Sequence, residues 1–125
     1  MRKVLVVEDD KFLRKIIKKK LTTEGYEVIE AVDGEEGIRM AKGKKPDIIL
    51  LDLVLPEMTG FEVLTKLKEK APVSEIPVII LSNLSGTEEI RKGIKMGASD
   101  YLVKAHFNPS EIIIKMELIF KKIEK

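Results

Sequence analysis

The chain has 125 residues, 44% of them hydrophobic, which is enough for one buried core without disulfide or metal staples and too little for a multidomain enzyme. With no cysteine and a single histidine, thiolate and multi-histidine metal centres are excluded, so any metal must rest on oxygen ligands. Lys and Arg total 23 against 21 Asp and Glu, and the interspersed net charge of +2 provides no field that argues for nucleic acid or an anionic membrane as a direct partner.

The longest apolar runs, Val4 to Val7, Ile48 to Leu51 and Val78 to Leu81, are far shorter than the roughly 20 residues that span a bilayer. Met1-Arg2-Lys3 ahead of such a short run is not a secretory signal, so the expected location is the cytoplasm. These runs, separated by segments of helical period, predict buried parallel strands near 3–7, 26–31, 47–51, 77–81 and 99–103. Asp10 is placed to cap the first helix, whose Leu13, Ile16, Ile17 and Leu21 repeat at helical spacing before Gly25 stops it. Lys18, Lys19 and Lys20 then mostly face water, a solvated run rather than a docking patch. The second helix opens at Asp33 with Glu36 at the box position and closes at Gly43. The third runs from about Met58 to Lys70, ahead of Pro72. The fourth starts near Ser85, with Glu88 at the box position, and ends at Gly97. The fifth begins with Asn108, Pro109 and Glu111 in the order cap, first-turn proline and box acid, and runs almost to Lys125. A βα unit recurring without a linker predicts one doubly wound α/β domain over residues 1–125.

In such a sheet the ligand crevice lies at the carboxyl ends of the strands. There the sequence places Glu8-Asp9-Asp10, Asp52, Ser82-Asn83 and Lys104. Asp10 alone reads as a helix cap. Acids gathered at one edge repel one another unless some are protonated or a cation neutralises them. A hard divalent ion, Mg²⁺ or Mn²⁺, satisfies carboxylates and carbonyls and keeps open positions for phosphate oxygens. Asp52, ending a buried strand, is placed to act as a nucleophile. Ser82 offers a hydroxyl, and Lys104 either holds a phosphoryl group or serves as a salt-bridge partner for the acids.

The segments Val4 to Asp10, Ile49 to Asp52, Leu55 to Phe61, Ser82 and Tyr101 to Lys104, in this order and spacing, resemble the response-regulator receiver family of two-component signalling over the whole chain. The resemblance implies a flavodoxin-like, five-stranded parallel sheet of order 2-1-3-4-5 with five helices. It makes Asp52 the phosphoacceptor and a metal ligand. Asp9 becomes a direct ligand of Mg²⁺, with Mn²⁺ as an alternative, Glu8 acts largely through water, and the backbone carbonyl of Val54 completes the protein ligands. Ser82 is then the switch hydroxyl, Lys104 the phosphate-binding lysine and Tyr101 the rotating switch aromatic, against the plainer reading of Tyr101 as a sheet-end residue. Pro56 and Gly60 shape the loop that follows Asp52. The implied donor is a sensor histidine kinase or histidine phosphotransfer protein, and the implied target a downstream protein or a second copy of the chain.

The chain departs from the family pattern in three places. Ala105 follows Lys104 where the family usually has proline, and an extra residue precedes Asn108, so the loop around His106 is expected to be reshaped. His106 itself reads as a loop residue. Val54 and Leu84, two places after Asp52 and Ser82, are both apolar, which predicts slow dephosphorylation because neither can orient a hydrolytic water. On the last helix Ile112, Ile113, Met116, Ile119, Phe120 and Ile123 cover one arc, while Ile114 and Leu118 fall opposite; the resemblance implies an output surface formed by the fourth helix, fifth strand and fifth helix, to which these two are expected to contribute. Nothing resembling a DNA-binding or enzymatic output segment follows, so the chain reads as a stand-alone regulator or an excised receiver.

Two competing readings are weaker. A haloacid-dehalogenase-type phosphatase usually needs a second Asp two places after the nucleophile, where Val54 stands. A flavodoxin-like cofactor binder needs a Ser, Thr and Gly-rich phosphate loop where Glu8-Asp9-Asp10 stands.

Overall fold

A computed structural model of the chain describes residues 1–83, 86–104 and 108–124. In chain order the elements are β1 (Lys3–Val7), α1 (Lys11–Thr23), β2 (Glu27–Ala31), α2 (Gly34–Lys44), β3 (Ile48–Leu51), α3 (Gly60–Leu67), β4 (Val78–Ser82), α4 (Thr87–Lys95), β5 (Asp100–Val103) and α5 (Pro109–Ile123), with a short 3-10 turn at Val73–Glu75. The strands form one parallel sheet in the order β2-β1-β3-β4-β5, as expected.

Side chains alternate across a strand, so each apolar run divides between two cores. Leu5, Val7, Ile49, Leu51 and Ile80 pack with Val63 and Leu64 on the side of α2, α3 and α4. Val4, Val6, Ile48, Leu50, Ile79 and Leu81 pack with Leu21, Met116 and other residues of α1 and α5 on the opposite side. Runs without polar interruption are therefore what a strand covered on both faces requires.

Helix ends follow the local chemistry, with several shifts from expectation. Asp10, Asp33 and Asn108 cap their helices through Leu13, Glu36 and Glu111 backbone N–H groups. Gly25, with φ 93, ends α1 in the left-handed region that a glycine reaches without strain. α2, however, runs through Gly43 and turns at Lys45, because Pro46 disfavours a helical conformation in the residue before it. α3 is shorter than its apolar pattern: Thr59 and Glu62 form a reciprocal capping box, and the chain leaves the helix after Leu67. Lys68 then donates to the Ser74 and Ile76 carbonyls at 3.1 and 2.9 Å, fastening the 3-10 turn to the helix. α4 starts from Gly86 with no side-chain cap, so Glu88 does not occupy a box position. Ser85, proposed as that helix start, lies outside the described residues, as do Leu84, Ala105, His106 and Lys125. Ile16 and Ile123 are exposed rather than buried: Leu13, Ile17 and Leu21 already fill the core-facing side of α1, and Ile123 sits on the final turn.

Candidate functional site

β1 and β3 are neighbours, with Val7 opposite Leu51, so Glu8 and Asp52 leave the sheet side by side where the winding reverses. The Glu8 N–H donates to the Ala31 carbonyl at 3.0 Å and the Asp52 N–H to the Val7 carbonyl at 3.1 Å, which holds both residues in register. One carboxylate oxygen each from Glu8, Asp9 and Asp52 lies within 4.8 Å of the others, with Glu8 and Asp52 buried and Asp9 exposed. Asp10 turns away. Its Oδ1 accepts the Leu13 N–H at 3.1 Å, so the cap reading holds and three acids, not four, converge. Asp10→Ala is therefore expected to cost about 1 kcal/mol in a urea melt and to leave a calorimetric Mg²⁺ titration like the parent's, whereas Asp9→Ala is expected to lose that titration signal; equal loss in both would mean the ligand register is displaced by one residue.

Lys104 arrives from the end of β5. Its Nζ lies 2.6 Å from Glu8 Oε1 and 2.9 Å from Asp52 Oδ2, so in this structure it is the salt-bridge partner of the acids. Asp52 Oδ1 also accepts the Val54 N–H at 3.2 Å. Burial pushes the Glu8 carboxyl up to about 7, and the Asp52 charge adds to this, although the Lys104 ammonium and the Asp10 N–H oppose it. Burial works against the Lys104 ammonium too, but Glu8 and Asp52 outweigh it and hold that group above its ordinary value. The pocket carries more negative charge than one ammonium neutralises. A hard divalent cation on oxygen donors fits that excess, and it would leave Lys104 able to move.

Ser82, wholly buried at the end of β4, is paired with Val103, the residue before Lys104, which brings its hydroxyl to the same edge. Tyr101 lies inward against Ile80 and α4. Burial raises the Tyr101 phenol above its usual value, with the hydrogen bond to Ser82 acting in the opposite sense. Ile114 and Leu118 are 56% and 54% exposed and border a shallow cleft with Arg2, Tyr26 and Phe120. Lys115, next to Ile114 in the chain, reaches Asp100 of β5 at 3.1 Å, whereas the cleft that Ile114 and Leu118 border is shared with Arg2 and Tyr26, which precede β1 and β2.

Sequence reasoning missed the brace behind the acids. Arg14 donates to the Glu8 carbonyl at 2.8 Å and to Glu30 at 3.1 Å. Burial would raise the Glu30 carboxyl, but Lys18 and Arg14 bring it below its ordinary value. A basic residue one turn after the Asp10 cap was the available signal. It also missed Phe12, an apolar side chain 81% exposed on the first turn of α1.

A family model for the response regulator receiver domain matches residues 4–117. Among solved structures, the receiver domain of Francisella response regulator 1452 is 35% identical with a TM-score of 0.90, covering 98% of this chain and 99% of that one. A CheY-like receiver domain protein from Methanospirillum hungatei JF-1 is 27% identical with a TM-score of 0.91, covering 99% and 97%. Among curated proteins, the alkaline phosphatase synthesis transcriptional regulatory protein PhoP of Bacillus subtilis is 35% identical over 98% of this chain and 50% of its own length. Response regulator PleD of Caulobacter vibrioides is 42% identical over 82% of this chain and 22% of its own length. The chain thus spans about half the length, or less, of these curated relatives. Among the described residues no helix is long and apolar enough to cross a membrane. The family match displaces the phosphatase reading, and with the acids at the switch point it displaces the flavodoxin reading, whose sheet order this chain shares; the chain belongs to the response regulator receiver domain family, a signalling module of two-component systems.

Proposed function

We propose that the chain accepts a phosphoryl group on Asp52 from the phosphohistidine of a sensor histidine kinase or histidine phosphotransfer protein, and that this controls a downstream protein or a homodimer. The observation that carries the reading is the convergence of Glu8, Asp9, Asp52 and Lys104 on the switch point of the sheet. An Asp52 oxygen attacks phosphorus, the bond from phosphorus to the imidazole nitrogen breaks, and the imidazole departs with that electron pair. Asp9 and Asp52, with the Val54 backbone carbonyl and Glu8 through water, would hold Mg²⁺ or Mn²⁺, which when bound screens the negative charge that builds on the phosphoryl oxygens. Lys104 then exchanges the acids for a phosphoryl oxygen. Phe12 and Ile16, exposed one turn apart on α1 beside the acids, suit the docking of a phosphoryl donor.

The test is incubation with acetyl phosphate and Mg²⁺: the parent takes up one equivalent, and Asp52→Ala takes up none. Full uptake by the variant would reject the assignment. Val54, 62% exposed, has no group to orient a hydrolytic water, so the label is expected to decay slowly when the same reaction is chased.

For output, the Ser82 hydroxyl moves toward the phosphoryl group, Tyr101 loses that hydrogen bond, and the surface of α4, β5 and α5 gains affinity for its partner. Ile114 and Leu118 contribute apolar area to that surface. Self-association measured with and without beryllofluoride and Mg²⁺ is expected to rise on activation in the parent and to be lost in the Ile114→Ser, Leu118→Ser variant; unchanged behaviour toward itself and toward an identified partner would make the two side chains incidental.

A further inference from the structure

The C-terminal turns of α2 and α3 lie at the end of the sheet opposite the acids, and two cavities follow one another along the seam between these helices. The lower, about 510 Å³, has an apolar floor of Pro46, Pro72, Val73 and Ile76. The upper, about 500 Å³, is lined by Ile38 and Met58, with Glu35 and Arg39 as a further acid and base. Lys42 and Lys66 line both, so the cavities join end to end with this lysine pair between them.

The charge along the seam is unlike that of the chain. Lys42, Lys45, Lys66 and Lys70 border the lower cavity against the single acid Glu69, while the whole chain carries 23 bases and 21 acids. All four lysines are exposed, and among the described residues none has an ion-pair partner. Helix dipoles explain a cation or two in each final turn. They do not explain four converging on one apolar cleft.

From these observations we propose that the seam of α2 and α3 binds an acidic amphipathic segment of a partner protein, with an apolar side chain in each cavity and carboxylates between them on Lys42 and Lys66. A single cavity of this size would suit a small ligand. Two joined cavities separated by cations match a chain that alternates apolar anchors with acids. The site is independent of the phosphoacceptor reading, since it uses none of those residues.

The probe is a fluorescein-labelled peptide of Leu anchors separated by Glu triplets, titrated against the full chain by anisotropy, with binding mapped by amide shifts. It is expected to bind, to shift Ala41, Val73 and Ile76, and to lose affinity about tenfold or more in Lys42→Glu, Lys66→Glu, since each change removes an attraction and adds a repulsion. Lys42→Arg, Lys66→Arg should bind like the parent. Lys15→Glu, Lys19→Glu changes the charge equally on α1 and should also leave binding intact. Absence of binding, equal loss in both Glu variants, or shifts confined to α1 would overturn the proposal. So would displacement of the same amides by sodium octanoate but not by the peptide, which would make the seam a small-molecule site.

Discussion

Lys104→Met is expected to destabilise the metal-free protein by about 3 kcal/mol at pH 8, because it leaves two buried carboxylates without the ammonium that joins them. Glu8 and Asp52 side chains are 3% and 5% exposed and Lys104 only 13%, so solvent cannot take over the pairing. The pH dependence follows from Glu8. Its carboxyl is raised from 4.5 to about 7, so between those values the folded protein keeps a proton that the unfolded chain has released. The stability this adds is complete below 4.5 and is lost as pH rises through about 7. Without Lys104 only the Asp10 N–H opposes the burial of Glu8, which then holds its proton to higher pH. The gap between parent and variant should thus be smaller at pH 5, where Glu8 is neutral in both, than at pH 8. Urea melts at the two pH values measure it; an equal penalty at both would show that Glu8 is not the group responsible.

Gly60→Ala is expected to cost about 3 kcal/mol and to weaken Mg²⁺ binding together with stability. A Cβ there would lie 2.3 Å from the Asp52 carbonyl oxygen and 2.5 Å from the Leu53 Cα. Both are backbone atoms, so no side-chain rotation relieves the clash. The Gly60 N–H also donates to the Leu53 carbonyl at 2.8 Å, which ties the start of α3 to the segment that follows Asp52. Relief must therefore come from moving Asp52 itself. Gly43→Ala, on α2 with nothing within 4 Å of its Cβ position, serves as the contrast and should be neutral or slightly stabilising. A Gly60→Ala protein that melts and titrates like the parent would refute the close approach.

Much of the fold is legible in residues that act locally. Runs such as Ile48 to Leu51 announce strands covered on both faces, and Asp10, Asp33 and Asn108 announce helix starts because a short side chain can satisfy a free N–H within its own turn. The convergence of Glu8, Asp9, Asp52 and Lys104 is legible too, since residues that follow parallel strands share one edge. Helix ends are less so: Gly43 reads as a stop that Pro46 instead imposes at Lys45, and the cap of α3 is Thr59, one residue after Met58 where the apolar pattern begins. What the amino acids alone left open depended on which elements become neighbours. That Lys104 spans Glu8 and Asp52, that Arg14 of α1 reaches Glu30 of β2, and that α2 and α3 enclose a lysine-rimmed seam all join residues distant in sequence. Only packing across the sheet and between helices brings such pairs within a few ångströms, where burial and charge then act.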